Sequence, residues 1–134
     1  MCIRDRRLDV SGNDIGGDGA WWLADAIGSD RCELRSLNLG SNRIGDGGAK
    51  DIAEELRVNS TLHVLDLRRN GISAEGAMEL AHALEENVSI TSMTLRGNVI
   101  PVGSESTTAT QGDLRDALAR AGLRVDVGMQ QQRA

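Results

Sequence analysis

Stacked strand–helix units, about four of them sharing one continuous core, are the α/β fold that this 134-residue sequence predicts. Three observations carry the prediction. Asn13, Asn42, Asn70 and Asn98 stand 29, 28 and 28 residues apart. Apolar residues fall in register around each asparagine. Beyond each asparagine the apolar rhythm changes from alternation to helical spacing. A fixed period of this length marks a repeat architecture, in which each unit is one supersecondary element.

The first copy is partial, Leu8-x-Val10-x-x-Asn13-x-Ile15, with Asp5 where a leucine belongs. Its helix stripe is Ala20, Leu23, Ala24 and Ile27, spaced i, i+3, i+4, i+7. The second copy is the clearest: Leu34-x-x-Leu37-x-Leu39-x-x-Asn42-x-Ile44, then Ala49, Ile52, Ala53 and Leu56. The third runs Leu62-x-x-Leu65-x-Leu67-x-x-Asn70-x-Ile72, then Ala77, Leu80, Ala81 and Leu84. Gly19, Gly48 and Gly76 precede the three stripes, where a helix is expected to approach the strand layer closely. The fourth copy, Ile90-x-x-Met93-x-Leu95-x-x-Asn98-x-Ile100, is followed by a Ser-, Thr- and Gly-rich segment, read as a loop insertion at 101–111. Helical spacing resumes at Leu114, Ala117, Leu118 and Ala121, with Gly122 as C-cap. Leu123, Val125 and Val127, alternating with Arg124 and Asp126, suit a final edge strand. The repeat array is thus expected over 7–127, with a disordered tail at 128–134.

Alternation at Leu37 and Leu39 puts both side chains on one face of a short strand. One strand and one helix cannot bury that face, so units must stack. The asparagine falls where the chain leaves the strand and its backbone groups lose ladder partners. Its amide offers donors and an acceptor to satisfy them, copy after copy.

Composition narrows the function classes. The formal charge is −5, from 20 acids against 15 bases, which argues against a nucleic-acid binder. Cys2 and Cys32 are too few for a disulfide framework. No run approaches the roughly 20 apolar residues of a membrane span. Met1-Cys2-Ile3-Arg4-Asp5-Arg6 resembles the translation of a transposon-end adaptor used to prepare sequencing libraries, so residues 1–6 are expected to be a non-native leader.

Across Leu8 to Ile100, and loosely to Val127, these motifs resemble the ribonuclease-inhibitor-like class of leucine-rich repeats. The signature of that class is a unit of about 28 residues, LxxLxLxxNxIgxxGaxxlaxaL. It is specific for the repeat class and unspecific for the protein, since similar arrays occur in cytosolic nucleotide-binding receptors and in the Ran GTPase-activating protein. The resemblance implies a curved solenoid with a parallel sheet inside and helices outside, binding proteins in the cytoplasm.

On that fold the strand residues pointing away from the core form the concave face: Arg7, Asp9 and Ser11; Ser36, Asn38 and Ser41; Val64, Asp66, Arg68 and Arg69; Ser92, Thr94 and Arg96. The partner-binding set is expected to be the polar row Asp9, Asn38, Asp66 and Thr94 with the basic corner Arg68, Arg69 and Arg96. The asparagines form a structural ladder. Trp21 and Trp22 occupy outer helix positions, either as an exposed anchor for a partner or as cover for apolar surface at the upstream end. The second reading expects self-association through that end. His63 and His82 lack ligand-spaced neighbours, so no metal is expected; no cofactor is expected either. The Gly16–Gly19 and Gly45–Gly48 runs read as turns between elements, and their recurrence argues against a nucleotide loop. The leading expectation is a non-enzymatic recognition module that binds protein on its concave face, touching neither nucleic acid nor membrane. GTPase activation through Arg43, Arg69 and Asn98 is the alternative, and the sensor portion of a larger receptor is a third reading.

Overall fold

The computed structural model describes residues 7–28 and 33–99, together with the backbone of residues 124–126. The expectations for residues 1–6, Cys32, the 101–111 insertion, the Leu114–Ala121 helix with Gly122 and the 128–134 tail lie outside the described residues.

Five three-residue strands, β1 (Arg7–Asp9), β2 (Ser36–Asn38), β3 (Val64–Asp66), β4 (Ser92–Thr94) and β5 (Arg124–Asp126), pair in chain order into one sheet. Every pairing is parallel, and Leu8, Leu37, Leu65, Met93 and Val125 stand at matching register positions. Parallel neighbours need a crossover. Between β1 and β4 it is supplied by α1 (Gly16–Ile27), α2 (Gly45–Leu56) and α3 (Ala74–Glu86). The protein is an α/β leucine-rich-repeat solenoid, as the period predicts.

The core lies between sheet and helices. Leu37, Leu65 and Met93 reach it from the strands, Leu39 and Leu67 from the residue just after them, and Ala49, Ile52, Leu56, Ala77, Leu80 and Leu84 from the helices. Two details differ from expectation. A methyl at Gly48 would strike Ile44 Cγ2 and come within 2.9 Å of Ala20 Cβ. The glycine therefore permits close approach to the preceding helix and to its own turn, where the sequence suggested the strand layer.

The second difference concerns the glycine runs. Gly16–Gly19 and Gly45–Gly48 form the first turns of α1 and α2 instead of linking elements. Neither helix has a side-chain cap; the next repeat holds each start, with Gly16 N–H donating to Asn42 O at 2.7 Å and Gly45 N–H to Asn70 O at 2.8 Å. Inter-repeat bonds thus make good the weak helix propensity of glycine. For α3 the arrangement changes: Ser73 caps it, and Asp46 of the preceding helix accepts from Ser73 N–H at 2.7 Å, Ser73 O–H at 2.6 Å and Gly76 N–H at 3.0 Å.

Candidate functional site

The asparagines are the frame on which the exposed residues hang. Asn42 Oδ1 accepts from Asn13 N–H at 2.7 Å, Asn70 Oδ1 from Asn42 N–H at 2.8 Å, and Asn98 Oδ1 from Asn70 N–H at 2.8 Å. In the other direction Asn70 Nδ2 donates to Leu67 O at 3.0 Å in its own repeat and to Leu39 O at 2.9 Å in the one before. Asn42 does the same with Leu39 and Val10, and Asn98 with Leu95 and Leu67. Among the described residues no buried side-chain polar atom lacks a partner. Each asparagine thus ties two turns together.

The turn has a fixed shape. The residue before the asparagine is left-handed in all four copies (Gly12, Ser41, Arg69 and Gly97, φ +55° to +76°), and the residue after it is left-handed in three (Asp14, Arg43 and Gly71, φ +54° to +71°). Strands also end earlier than the alternation suggested. Ser11, Ser41, Arg68, Arg69 and Arg96 stand on the turns beyond the strand ends, so the basic corner lies at the rim of the sheet, and of the expected partner-binding set only Asp9, Asn38, Asp66 and Thr94 remain on its face.

Three members of that polar row are partly engaged in their own turns. Asp9 Oδ1 accepts from Ser11 N–H at 3.0 Å, Asn38 Oδ1 from Gly40 N–H at 2.9 Å, and Asp66 Oδ1 from Arg68 N–H at 3.1 Å. The Ser11 hydroxyl and amide bonds hold the Asp9 carboxyl below its usual range. Asp66 also receives Arg68 Nε at 3.0 Å on both oxygens, which fixes the guanidinium and balances its charge. The parallel row Arg7, Ser36, Val64 and Ser92 places one apolar side chain, Val64, at 40 % exposure between two serines.

Two arginine stems are seated on glycines. A Cβ at Gly40 would lie 3.2 Å from Arg68 Cγ, and one at Gly97 2.9 Å from Arg69 Cγ. Arg69 and Arg96 are exposed, and Arg43 makes a 3.4 Å ion pair with Asp14 across adjacent turns.

Charge is segregated between the helices and the rest of the described chain. The three helices carry Asp18, Asp25, Asp46, Asp51, Glu54, Glu55, Glu75, Glu79, Glu85 and Glu86 against Lys50 alone. The other described side chains carry Arg7, Arg35, Arg43, Arg57, Arg68, Arg69 and Arg96 against Asp9, Asp14, Glu33 and Asp66. The modest net charge of the chain conceals this division.

Trp21 and Trp22 are exposed on α1, as outer helix positions require, and Trp21 lines a cleft towards α2. Sequence reasoning missed two features. Asp46 is one. The other is a second ladder at the helix C-termini, where Asn59 Nδ2 donates to Ile27 O at 3.0 Å and Asn87 Nδ2 to Leu56 O at 2.7 Å and Asn59 O at 3.0 Å. Its signal was present, since Asn59 and Asn87 are themselves 28 residues apart, each two residues before Thr61 or Ser89. Among the described residues no three metal-ligating side chains gather, and no helix is long and apolar enough to cross a membrane.

A stack of one-strand, one-helix units locked by an asparagine ladder defines a class of repeat scaffold, and comparison with known proteins places the chain in it. A family model described as leucine rich repeat matches residues 6–20, 32–53 and 58–81. Mouse NACHT, LRR and PYD domains-containing protein 12 is 37% identical over 59 residues, which is 44% of this chain. The match spans only 6% of that protein's length. The solved structure of leiomodin-1 actin-binding site 2 superposes with a TM-score of 0.65 at 18% identity, covering 87% of this chain and 80% of that one, a likeness of fold alone. The chain is a leucine-rich-repeat protein. Repeats of this family form protein-interaction modules and are typically non-enzymatic, and the GTPase-activating alternative finds no support in these matches.

Proposed function

We propose that the chain is a protein-recognition module which holds a folded partner against the open, concave face of its sheet, with Arg68, Arg69 and Arg96 gripping the partner's rim. The observation that carries this reading is the conformation of Arg69. Glycine fills the same turn position in the first and fourth copies, as Gly12 and Gly97, and the small Ser41 fills it in the second, whereas the long Arg69 sits there at φ +55°. A non-glycine residue in this region costs about 1–2 kcal/mol. A long cation retained at that cost, its stem seated on Gly97, is a group with a use outside the fold. Val64 offers a small apolar centre, and Asn38 and Thr94 offer hydrogen-bonding groups around it. The charge of the rim favours a partner with carboxylates at the matching edge. The ribonuclease-inhibitor-like pattern supports a cytoplasmic setting.

Proteins recovered by affinity capture on the wild-type chain, then titrated one by one, test the proposal. Arg68→Glu/Arg69→Glu is expected to weaken a true partner at least about tenfold, equivalent to ~1.4 kcal/mol. Glu75→Gln/Glu79→Gln on α3 is expected to leave it unchanged. Partners indifferent to the arginine reversal would overturn the reading.

A further inference from the structure

The helix side carries a surface that the sheet-face reading does not use. Trp21 is 48 % exposed and Trp22 67 %, and their rings meet edge to face with centroids 4.8 Å apart at 84°. Solvated helix faces ordinarily hold polar residues at such sites; the equivalent positions are Lys50 and Asp51 in α2 and Met78 and Glu79 in α3. Two adjacent exposed indoles form an apolar patch of the kind that marks an interaction site.

What the patch adjoins identifies its occupant. Trp21 forms one wall of the cleft between α1 and α2, and the remaining lining is Ala24, Asp25, Asp51, Glu54 and Glu55. Among the described residues none of these four carboxylates forms an ion pair. Lys50, the single lysine of the helices, lines the neighbouring depression beside Asp51 and Glu54 without pairing to either. Burial, followed by the charges of Asp25 and Glu54, pushes the Glu55 carboxyl above its ordinary range.

We propose that this cleft docks a lysine- or arginine-bearing segment of another protein, one cation lying against the Trp21 ring with its charge met by Asp25, Asp51, Glu54 and Glu55. Indole faces attract cations through the ring quadrupole, and carboxylates that lack counter-charges supply the second attraction. The same charges disfavour the other occupants. A second copy docked symmetrically would set the same carboxylates against each other. Nucleic acid and anionic lipid are repelled.

The test uses the full chain titrated with acetylated hexa-arginine and hexa-lysine, and with a Gly/Ser hexapeptide as control, at low ionic strength. Calorimetry and indole emission report binding. The arginine or lysine peptide is expected to bind saturably and shift the emission, while the Gly/Ser peptide does neither. Glu54→Gln/Glu55→Gln and Trp21→Ala are each expected to weaken binding about tenfold with circular dichroism unchanged and no loss of melting temperature. Glu75→Gln/Glu79→Gln removes the same charge from α3 and is expected to leave affinity within about twofold, because a charge outside the cleft acts only through screened solvent. Absence of saturable binding would overturn the proposal. So would an equal loss in the α3 variant, which would reduce the effect to a diffuse acidic field. Concentration-dependent dimerisation that Trp21→Ala abolishes and the cationic peptides fail to compete would make the occupant a second copy, and would overturn it as well.

Discussion

The first repeat and the two that follow it obey the same sequence rule and hold different energetic positions. Leu37 and Leu65 are at most 1 % exposed, whereas Leu8, at the same register, is only partly buried. Asn42 and Asn70 are buried and their side chains donate to carbonyls of two repeats, whereas Asn13 is exposed and its side chain donates only within its own turn, to Val10 and Ser11. Among the described residues β1 has a strand neighbour on one side, and β2 and β3 have one on each. Burial in this array is therefore conferred by neighbours, and a repeat motif states what a residue can contribute, not what it does contribute.

Core truncation should expose that contrast most strongly. Leu65→Ala is expected to cost about 3–5 kcal/mol in urea denaturation, and Leu8→Ala about 1 kcal/mol, because a half-solvated site loses less transfer energy and leaves no closed cavity. Equal losses would show that the first repeat is as well packed as the third. The ladder gives the next largest difference. Asn70→Leu removes the acceptor of the Asn42 and Ile44 amides and the donor to Leu39, Leu67 and Arg68 carbonyls. Unsatisfied buried groups cost about 1–3 kcal/mol each, so a loss of at least about 3 kcal/mol is expected there and under about 1 kcal/mol for Asn13→Leu.

Two adjacent glycines of α2 sharpen the comparison within one helix. Gly48→Ala drives a methyl into Ile44 and Ala20 and is expected to cost about 1–3 kcal/mol. At Gly47 a methyl meets nothing within 4 Å, and Gly47→Ala is expected to gain about 0.5–1 kcal/mol. Thermal melts of the two variants should move in opposite directions. At the sheet rim, Arg69→Gly is expected to stabilise by about 1 kcal/mol while weakening any partner of the sheet face, a separation that Gly12 and Gly97 offer no means of making. The smallest effect lies at the α1–α2 boundary. Glu55 titrates above its unfolded value, so its ionisation opposes folding as pH rises through that window. Glu55→Gln should raise the melting temperature slightly at pH 7, and the difference should fade on acidification below the ordinary glutamate range. A difference that grows on acidification would reverse the sign.

The repeat, the strand faces and the helix stripes were legible because each depends on spacing along one chain. The turn was less so: alternation continued past Asn38 and Asp66 into Gly40 and Arg68, where the strands have ended and a turn has begun, although its backbone still bonds to the neighbouring repeats. Ladder partners were legible in kind, since an asparagine at a strand end must bond to something, while their reach into the preceding repeat followed only from stacking. Asp46 was illegible, because its acceptors' donors belong to Ser73 and Gly76, nearly a full period away. The acidic cleft was hidden for the same reason: Trp21 and Glu54 are far apart in sequence and meet only when α1 lies beside α2.

Sequence alone determined the period, the alternation of strand and helix, and the residues fit for burial, since these are properties of spacing and hydrophobicity within one unit. Tertiary structure decided which copies bury what they offer, which carboxylates gather in the cleft between α1 and α2, and where arginine accepts a left-handed turn. Those outcomes depend on the distance between residues of different units, and a one-dimensional pattern carries that distance only after the units have been stacked.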